Sequence, residues 1–158
     1  GASGRSAIYG EPELAYAFAS ACAENGAMPA VVAAGTRNSK LTARLGLLLA
    51  AADEKPLLLE DADFEAILDA AIKARANIAI GHSGGRFLTE RFGIPVVRMG
   101  FPVHDRVGGQ RILSAGYAGT LAFLDRFVNA LLEKKYATYR QSRKEELLDR
   151  AAIERLAP

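Results

Sequence analysis

The strongest constraint on this chain is an alternation. Five short apolar runs, at residues 6–9, 29–34, 57–59, 77–80 and 94–98, take turns with longer segments of helical spacing. A run that is apolar at nearly every position, such as 29–34, suits a strand covered on both faces. Strands alternating with helices over brief connections build a parallel sheet with helices on each side. The expected architecture is therefore α/β, a Rossmann-like three-layer domain with a mostly parallel sheet over residues 1–135. A long last helix, about 112–135, completes it, and residues 136–158 follow as a charged helical tail. At 158 residues the chain is long enough to bury the core of one such domain.

Local signals place the elements. Glu11-Pro12-Glu13 reads as a helix start, because proline tolerates the first turn and acidic side chains complement the positive end of the helix dipole. Leu14, Phe18, Ala21 and Cys22 recur at helical spacing until Asn25-Gly26 stops the helix. Cys22 on that stripe reads as a small core residue. A second helix, 40–52, carries Leu41, Leu45, Leu48 and Ala52 on one face, with Ser39 placed to cap it. A third, 61–75, aligns Phe64, Ile67, Leu68 and Ala71, and a short fourth, 86–92, stops at Gly93. In the last helix Tyr117, Leu121, Leu124, Val128 and Leu131 form a stripe that is either core or a subunit contact. Gly116 and Gly119 each weaken that helix by about 1 kcal/mol relative to alanine, which argues for a close approach by another backbone, by a ligand or by the domain itself. The tail keeps only a ragged stripe of Leu147, Leu148, Ala151 and Leu156.

Several functions are excluded by what is missing. A net charge of +2 is too small for a nucleic-acid surface, and the basic residues at 134–135 and 140–144 suit a solvated or partner-facing helix. No apolar stretch approaches the roughly 20 residues a membrane span requires. Residues 1–6 have no basic start followed by an apolar run, so no signal peptide is expected. One cysteine forms no internal disulfide and cannot build an all-cysteine cluster, and it points to a cytoplasmic location. The first strand-to-helix turn, Gly10-Glu11-Pro12-Glu13, puts carboxylates where a dinucleotide pyrophosphate would rest, and no phosphate-binding P-loop pattern occurs.

Functional residues of such a sheet gather at the carboxyl ends of its strands. Two segments there hold the chemistry. Gly81-His82-Ser83-Gly84-Gly85-Arg86 either presents backbone N–H groups to an anion, with Ser83 as a helix cap, or is a tight turn whose glycines permit close packing. The packing reading is the favoured one. Arg98-Met99-Gly100-Phe101-Pro102-Val103-His104-Asp105-Arg106, with Arg111 beyond it, concentrates arginines, a histidine and an aspartate. Asp105 either orients His104 or pairs with Arg106 as a clamp. No nucleophile accompanies the histidine, and His82 with His104 lacks a third metal ligand. An interface clamp or an anion-contacting loop is the expected use.

In this order, Gly81-His82-Ser83-Gly84-Gly85-Arg86, then Gly93-Ile94-Pro95-Val96-Val97-Arg98-Met99-Gly100-Phe101-Pro102-Val103-His104-Asp105-Arg106, then Gly116-Tyr117-Ala118-Gly119, the chain resembles the nitrogenase component 1 family. Tyr9-Gly10-Glu11-Pro12-Glu13 resembles that family's first strand-to-helix turn. The Gly-Phe-Pro-x-x-Asp-Arg run is most similar to β-type subunits, which are the molybdenum-iron protein β chain and the NifN-type subunit of the cofactor-assembly scaffold. The resemblance runs from about Arg5 to Lys135 and implies the last of three α/β domains. It also implies an α-type partner subunit, transient contact with the nitrogenase iron protein, and an iron–sulfur cluster and iron–molybdenum cofactor precursor in the parent complex. Cys22 matches none of the family's cluster cysteines, so this chain alone is expected to hold no cofactor. His82, Ser83, Arg86, Arg98, His104, Arg106 and Arg111 are the residues this reading places at a cofactor chamber or subunit interface. A cofactor-assembly scaffold is the first expectation, a molybdenum-iron protein β chain the second, and a free-standing domain binding a small anion the third.

Overall fold

The computed structural model describes residues 4–50 and 54–156, with side chains through 148. Strands β1 (Arg5–Gly10), β2 (Met28–Ala34), β3 (Leu57–Glu60), β4 (Ile78–Gly81) and β5 (Val96–Arg98) form one sheet in the order β3-β2-β1-β4-β5. Every pairing is parallel. Helices α1 (Pro12–Glu24), α2 (Ser39–Leu48), α3 (Phe64–Lys73), α4 (Arg86–Phe92) and α5 (Gly116–Leu156) complete the fold. The two-residue period of a strand sends alternate side chains to opposite faces, and the core divides accordingly. Ile8, Val32, Ile80 and Val97 meet Phe18 and Cys22 of α1 and Phe123 and Phe127 of α5. Ala7, Val31, Ala79 and Val96 meet Ile67, Leu68 and Ala71 of α3 and Leu88 of α4 on the other face. The expected three layers are present.

Element ends differ from expectation where capping chemistry was ambiguous. Asn38, not Ser39, caps α2, its side-chain oxygen accepting from the Leu41 N–H at 3.2 Å. The buried face of α2 is Leu45 followed by Leu49, while Leu48 is exposed; the expected Ala52 lies outside the described residues. In α3 the run starts after Asp63, which caps it by accepting from Ala66 N–H at 2.8 Å.

Helix α5 departs most. It begins at Gly116, four residues later than expected, and continues as one 41-residue helix, about 60 Å long, through the segment expected as a separate tail. From Thr120 to Leu156 there is no glycine or proline to stop it. Gln141 donates to Glu145 at 2.7 Å and Arg143 to Glu146 at 2.6 Å, local pairs that support the outer turns. The stripe expected to be core or a subunit contact is split: Leu124 and Leu131 pack against the core, while Tyr117, at 98% exposed, Leu121, at 62%, and Val128 face away from the domain. Burial goes instead to Phe123 and Phe127, whose rings stack in series with Phe18 of α1 at 5.0 and 5.8 Å. Aromatic rings bury more area than the Tyr117–Leu121 side could offer, and they set the helix rotation. The subunit-contact alternative for that stripe is left standing. Gly119 answers to packing within the domain, since a Cβ there would lie 2.7 Å from the Ser114 backbone.

Candidate functional site

In this strand order the chain winds outward from β1 to β3, then crosses back to β4 and β5. The reversal lies between β1 and β4, and the crevice at the carboxyl ends there is where open α/β sheets hold ligands. A cleft of about 270 Å³ occupies that place, lined by Gly10, Glu11, Gly35, Phe64, His82 and Phe101 among others.

Tyr9, the penultimate residue of β1, organises one wall. Its hydroxyl donates to the His82 carbonyl at 2.8 Å, and its ring meets the edges of His82 and Phe64 at 5.1 and 5.7 Å. Burial pushes the Tyr9 phenol well above its ordinary range. The glycines of the 81–86 loop exist for this ring. A Cβ on Gly85 would lie 1.8 Å from the Tyr9 hydroxyl, and one on Gly81 2.5 Å from its ring. The loop's amides are used internally: Ser83 N–H donates to Pro102 O, Gly84 N–H to His82 Nδ1 and Gly85 N–H to His82 O. The loop is therefore the tight packing turn and not an open nest of N–H groups for an anion. His82, not Ser83, caps the short 3-10 turn at Ser83–Gly85.

His82 is half-buried, and with Nδ1 accepting, its ring proton sits on Nε2. Burial lowers its pKa first, with His104 acting in the same direction and Glu11 opposing them. It is a neutral imidazole at pH 7 beside an acidic helix start, with no nucleophile in the cleft.

The second part of the edge is an ion-pair clamp. Arg98, the last residue of β5, donates from Nη2 to Asp105 Oδ2 at 2.6 Å and from Nε to the same oxygen at 3.2 Å. Its Nη1 donates to Val96 O at 2.8 Å. The pair is 10% and 15% exposed at its side chains. The fully buried Ser83 hydroxyl donates to Asp105 Oδ1 and accepts from His104 N–H at 3.0 Å, joining the two loops. Arg98 foremost, and then Ser83, hold the Asp105 carboxyl well below the usual carboxylate range.

Asp105 was expected to orient His104 or to clamp Arg106, and it does neither as its main contact. Arg98 takes the carboxylate because β5 delivers its guanidinium to the loop at short range. Arg106 reaches it only at 3.8 Å from a largely exposed position. Of the residues anticipated at this edge, Ser83, Arg98 and Arg106 converge on Asp105. His104 contributes its backbone, and its side chain is exposed. Arg86 lies exposed over the Phe87 ring at 4.8 Å, and Arg111 is exposed, so neither joins the cluster. Glu11, already marked by its place in the first strand-to-helix turn, lines the crevice, whereas Tyr9 and Arg126 were not anticipated as site residues. For Arg126 a signal existed: it sits three residues after Phe123 and four before Ala130, a charge on the domain-facing side of a helix.

A parallel five-stranded sheet with helices on both faces and a crevice at its switch point defines a Rossmann-like domain. The comparisons specify which. A family model described as nitrogenase component 1 type oxidoreductase matches residues 2–132, and the chain belongs to that family. It is 38% identical over 133 residues to the nitrogenase molybdenum-iron protein beta chain of Methanococcus maripaludis, covering 84% of this chain and 29% of that protein. It is 34% identical over 127 residues to the nitrogenase iron-molybdenum cofactor biosynthesis protein NifN of Rhodobacter capsulatus, covering 80% and 26%. Among solved structures, "Nitrogenase Cp1 at pH 6.5" matches with a TM-score of 0.76 and 27% identity, over 84% of this chain and 29% of that one. The chain thus spans less than a third of the length of these relatives.

The cluster and cofactor that the family resemblance implies do not fit this chain's own residues. Cys22 is buried in the core, and burial pushes its thiol up to about 12, against a smaller lowering by a hydrogen bond with Ser6. A thiol so placed is neither ionised nor reachable by iron. Among the described residues no group of three or more histidine, cysteine, aspartate or glutamate side chains gathers to hold a metal. No helix among them is long and apolar enough to cross a membrane.

Proposed function

We propose that residues 1–135 are a framing domain of a β-type nitrogenase-like subunit, packing beside an α-type partner, and that α5 projects from it as an arm over residues 136–156. The observation that carries this is the carboxyl edge itself. Its loops are locked to one another by Ser83, Arg98 and Asp105 and by Tyr9 in the glycine turn, yet no reactive constellation is built there. Such an edge offers a rigid wall. The outward apolar stripe of α5, with Tyr117 and Leu121 exposed, gives the partner a face to cover. The parent complex would hold the iron–sulfur cluster and the iron–molybdenum cofactor or its precursor on other residues, and would meet the iron protein transiently.

Within this class the scaffold for cofactor assembly is the first reading, since a domain without ligands of its own suits a subunit that holds and releases a precursor. The β chain of a molybdenum-iron protein is the second, favoured by the 38% identity to the Methanococcus maripaludis chain against 34% to the NifN protein. The free-standing anion-binding reading loses its first loop, because the amides at 83–85 are spent internally. The deciding experiment is purification of the full-length protein from its native cells, with iron and molybdenum analysis of what accompanies it. An α-type partner with iron supports the class; a transient, precursor-bearing complex supports the scaffold, and a stable molybdenum-containing one the β chain. Metal-free protein without such a partner refutes both.

A further inference from the structure

We propose that a second cleft, between the outer edge of β5 and α5, is a binding site for a phosphate-type dianion. It measures about 300 Å³ and is lined by Arg98, Arg106 and Arg126 with Val96, Ile112 and Ala130. It lies away from the switch-point crevice and shares with the clamp only Arg98 and Arg106.

Charge bookkeeping within the cleft points to a missing anion. Three guanidinium groups line the cleft, and among the described residues the carboxylate paired with two of them, Arg98 and Arg106, is Asp105, which leaves a formal charge of +2. Arg98 satisfies itself with Asp105 and Val96 O. Arg106 spends one nitrogen on the Asp105 backbone carbonyl at 2.8 Å and keeps the rest free in a largely exposed side chain. Arg126 is half-buried, and its hydrogen-bond partner among the described residues is the Met99 sulfur at 3.6 Å. A thioether is a weak, uncharged acceptor. A partly desolvated guanidinium with nothing better is costly, and an oxyanion between it and Arg106 removes that cost. The neighbouring acid on the same helix, Asp125, is rotated about 100° away and exposed, so it does not serve Arg126.

The shape suits the charge. Val96, Ile112 and Ala130 line the cleft with apolar surface, which lowers the local dielectric and strengthens an ionic contact. Planar guanidinium forks match the oxygens of phosphate in pairs, and Arg106 and Arg126, which line the same cleft, supply such forks to one dianion. The volume admits a small phosphate compound but not a nucleic-acid strand. The proposal stands whichever β-type subunit the chain belongs to.

The test titrates the 158-residue chain with inorganic phosphate, following arginine Nε–H signals by NMR, with chloride at equal ionic strength as control. Saturable shifts at Arg126 and Arg106 that chloride does not produce are expected. Arg126→Met, which keeps the apolar stem, should weaken phosphate about tenfold or more, and Arg106→Met similarly, while Arg140→Met on the projecting arm should leave it unchanged. If Arg126→Met fails to fold by circular dichroism, Arg106→Met decides alone. Shifts reproduced by chloride, or equal losses in the Arg140→Met control, overturn the site.

Discussion

Replacing Asp105 with asparagine tests the clamp directly. The substitution keeps size and shape but removes the charge opposite Arg98, whose side chain is 10% exposed. Removing one partner of a buried ion pair costs about 3–5 kcal/mol, because the other charge stays behind without compensation. Here the pair retains slight solvent contact and Arg98 keeps its bond to Val96 O, which sets the expectation at the low end, about 3 kcal/mol. A further loss follows from geometry, since Ser83 and Arg98 approach opposite carboxylate oxygens and one of these becomes an NH2 that cannot accept. Urea unfolding at pH 7, followed by far-ultraviolet circular dichroism, should show the midpoint falling by roughly 1–2 M with the slope unchanged.

The pH dependence gives an independent check of sign. The folded carboxyl titrates well below its ordinary value, so its contribution is complete above the unfolded pKa and fades as pH falls through the folded one. Between pH 7 and about 5 the gap between wild type and Asp105→Asn should stay constant. At pH 3, below the unfolded carboxylate pKa of about 3.9, it should narrow by about 1 kcal/mol. Pairing the change with Arg98→Met should lose less than Asp105→Asn alone, since no bare charge then remains. A cost under about 1 kcal/mol at pH 7, or a gap as wide at pH 3 as at pH 7, would refute the clamp as a stabilising ion pair.

Gly85→Ala forces a methyl group to within 1.8 Å of the Tyr9 hydroxyl and should destabilise the chain by about 2–3 kcal/mol, read as a lowered urea midpoint. Tyr9→Phe removes the shorter of two hydrogen bonds to the His82 carbonyl, leaving only the Gly85 N–H at 3.2 Å, and should cost about 1 kcal/mol in the same assay. Cys22 should resist a thiol reagent at pH 8 in the folded chain and react at once in urea. Its raised thiol pKa contributes stability that is complete below the unfolded value and lost as pH climbs toward about 12. Truncation after Lys135 should lower the helical signal while leaving the unfolding free energy from urea titration within about 0.5 kcal/mol, because every side chain described from Tyr136 to Leu148 is exposed. A large loss of stability would show that the arm packs on the domain.

What could be read from the residues divides along a physical line. The strands were legible because residues such as Ala30, Val31, Val32 and Ala33 are all buried, so nothing but a doubly covered strand suits them. The turn at Gly81–Gly85 was legible as a turn, but its reason was not. That reason is Tyr9, which bonds a carbonyl 73 residues further along the chain, and no local pattern encodes it. The partner of Asp105 was misjudged for a similar cause. His104 and Arg106 are its chain neighbours, whereas Arg98, seven residues back, is placed by the end of β5. Helix α5 was ambiguous because two apolar stripes share one helical period, and only contact with Phe18 of α1 decides which turns inward.

That second stripe bears on how the family assignment and the geometry fit together. Tyr117, Leu121, Val128 and Leu132 are all exposed at spacings of four and seven residues, which keeps them on one side of α5. Phe123 and Phe127 occupy a different side, so α5 is a helix with one apolar face used and one unused. Scattered exposed leucines need no account, but an aligned row does. The chain spans less than a third of the length of its relatives, and the proposed α-type partner would supply cover for such a row. The locked carboxyl edge and the uncovered helix face are both what the proposed framing role requires of this domain, a fixed surface offered to neighbours. Substituting Leu121 and Val128 with serine should then leave the domain's own stability nearly unchanged while weakening its assembly into the full complex, and a large loss of stability in the isolated chain would contradict this division of the two faces.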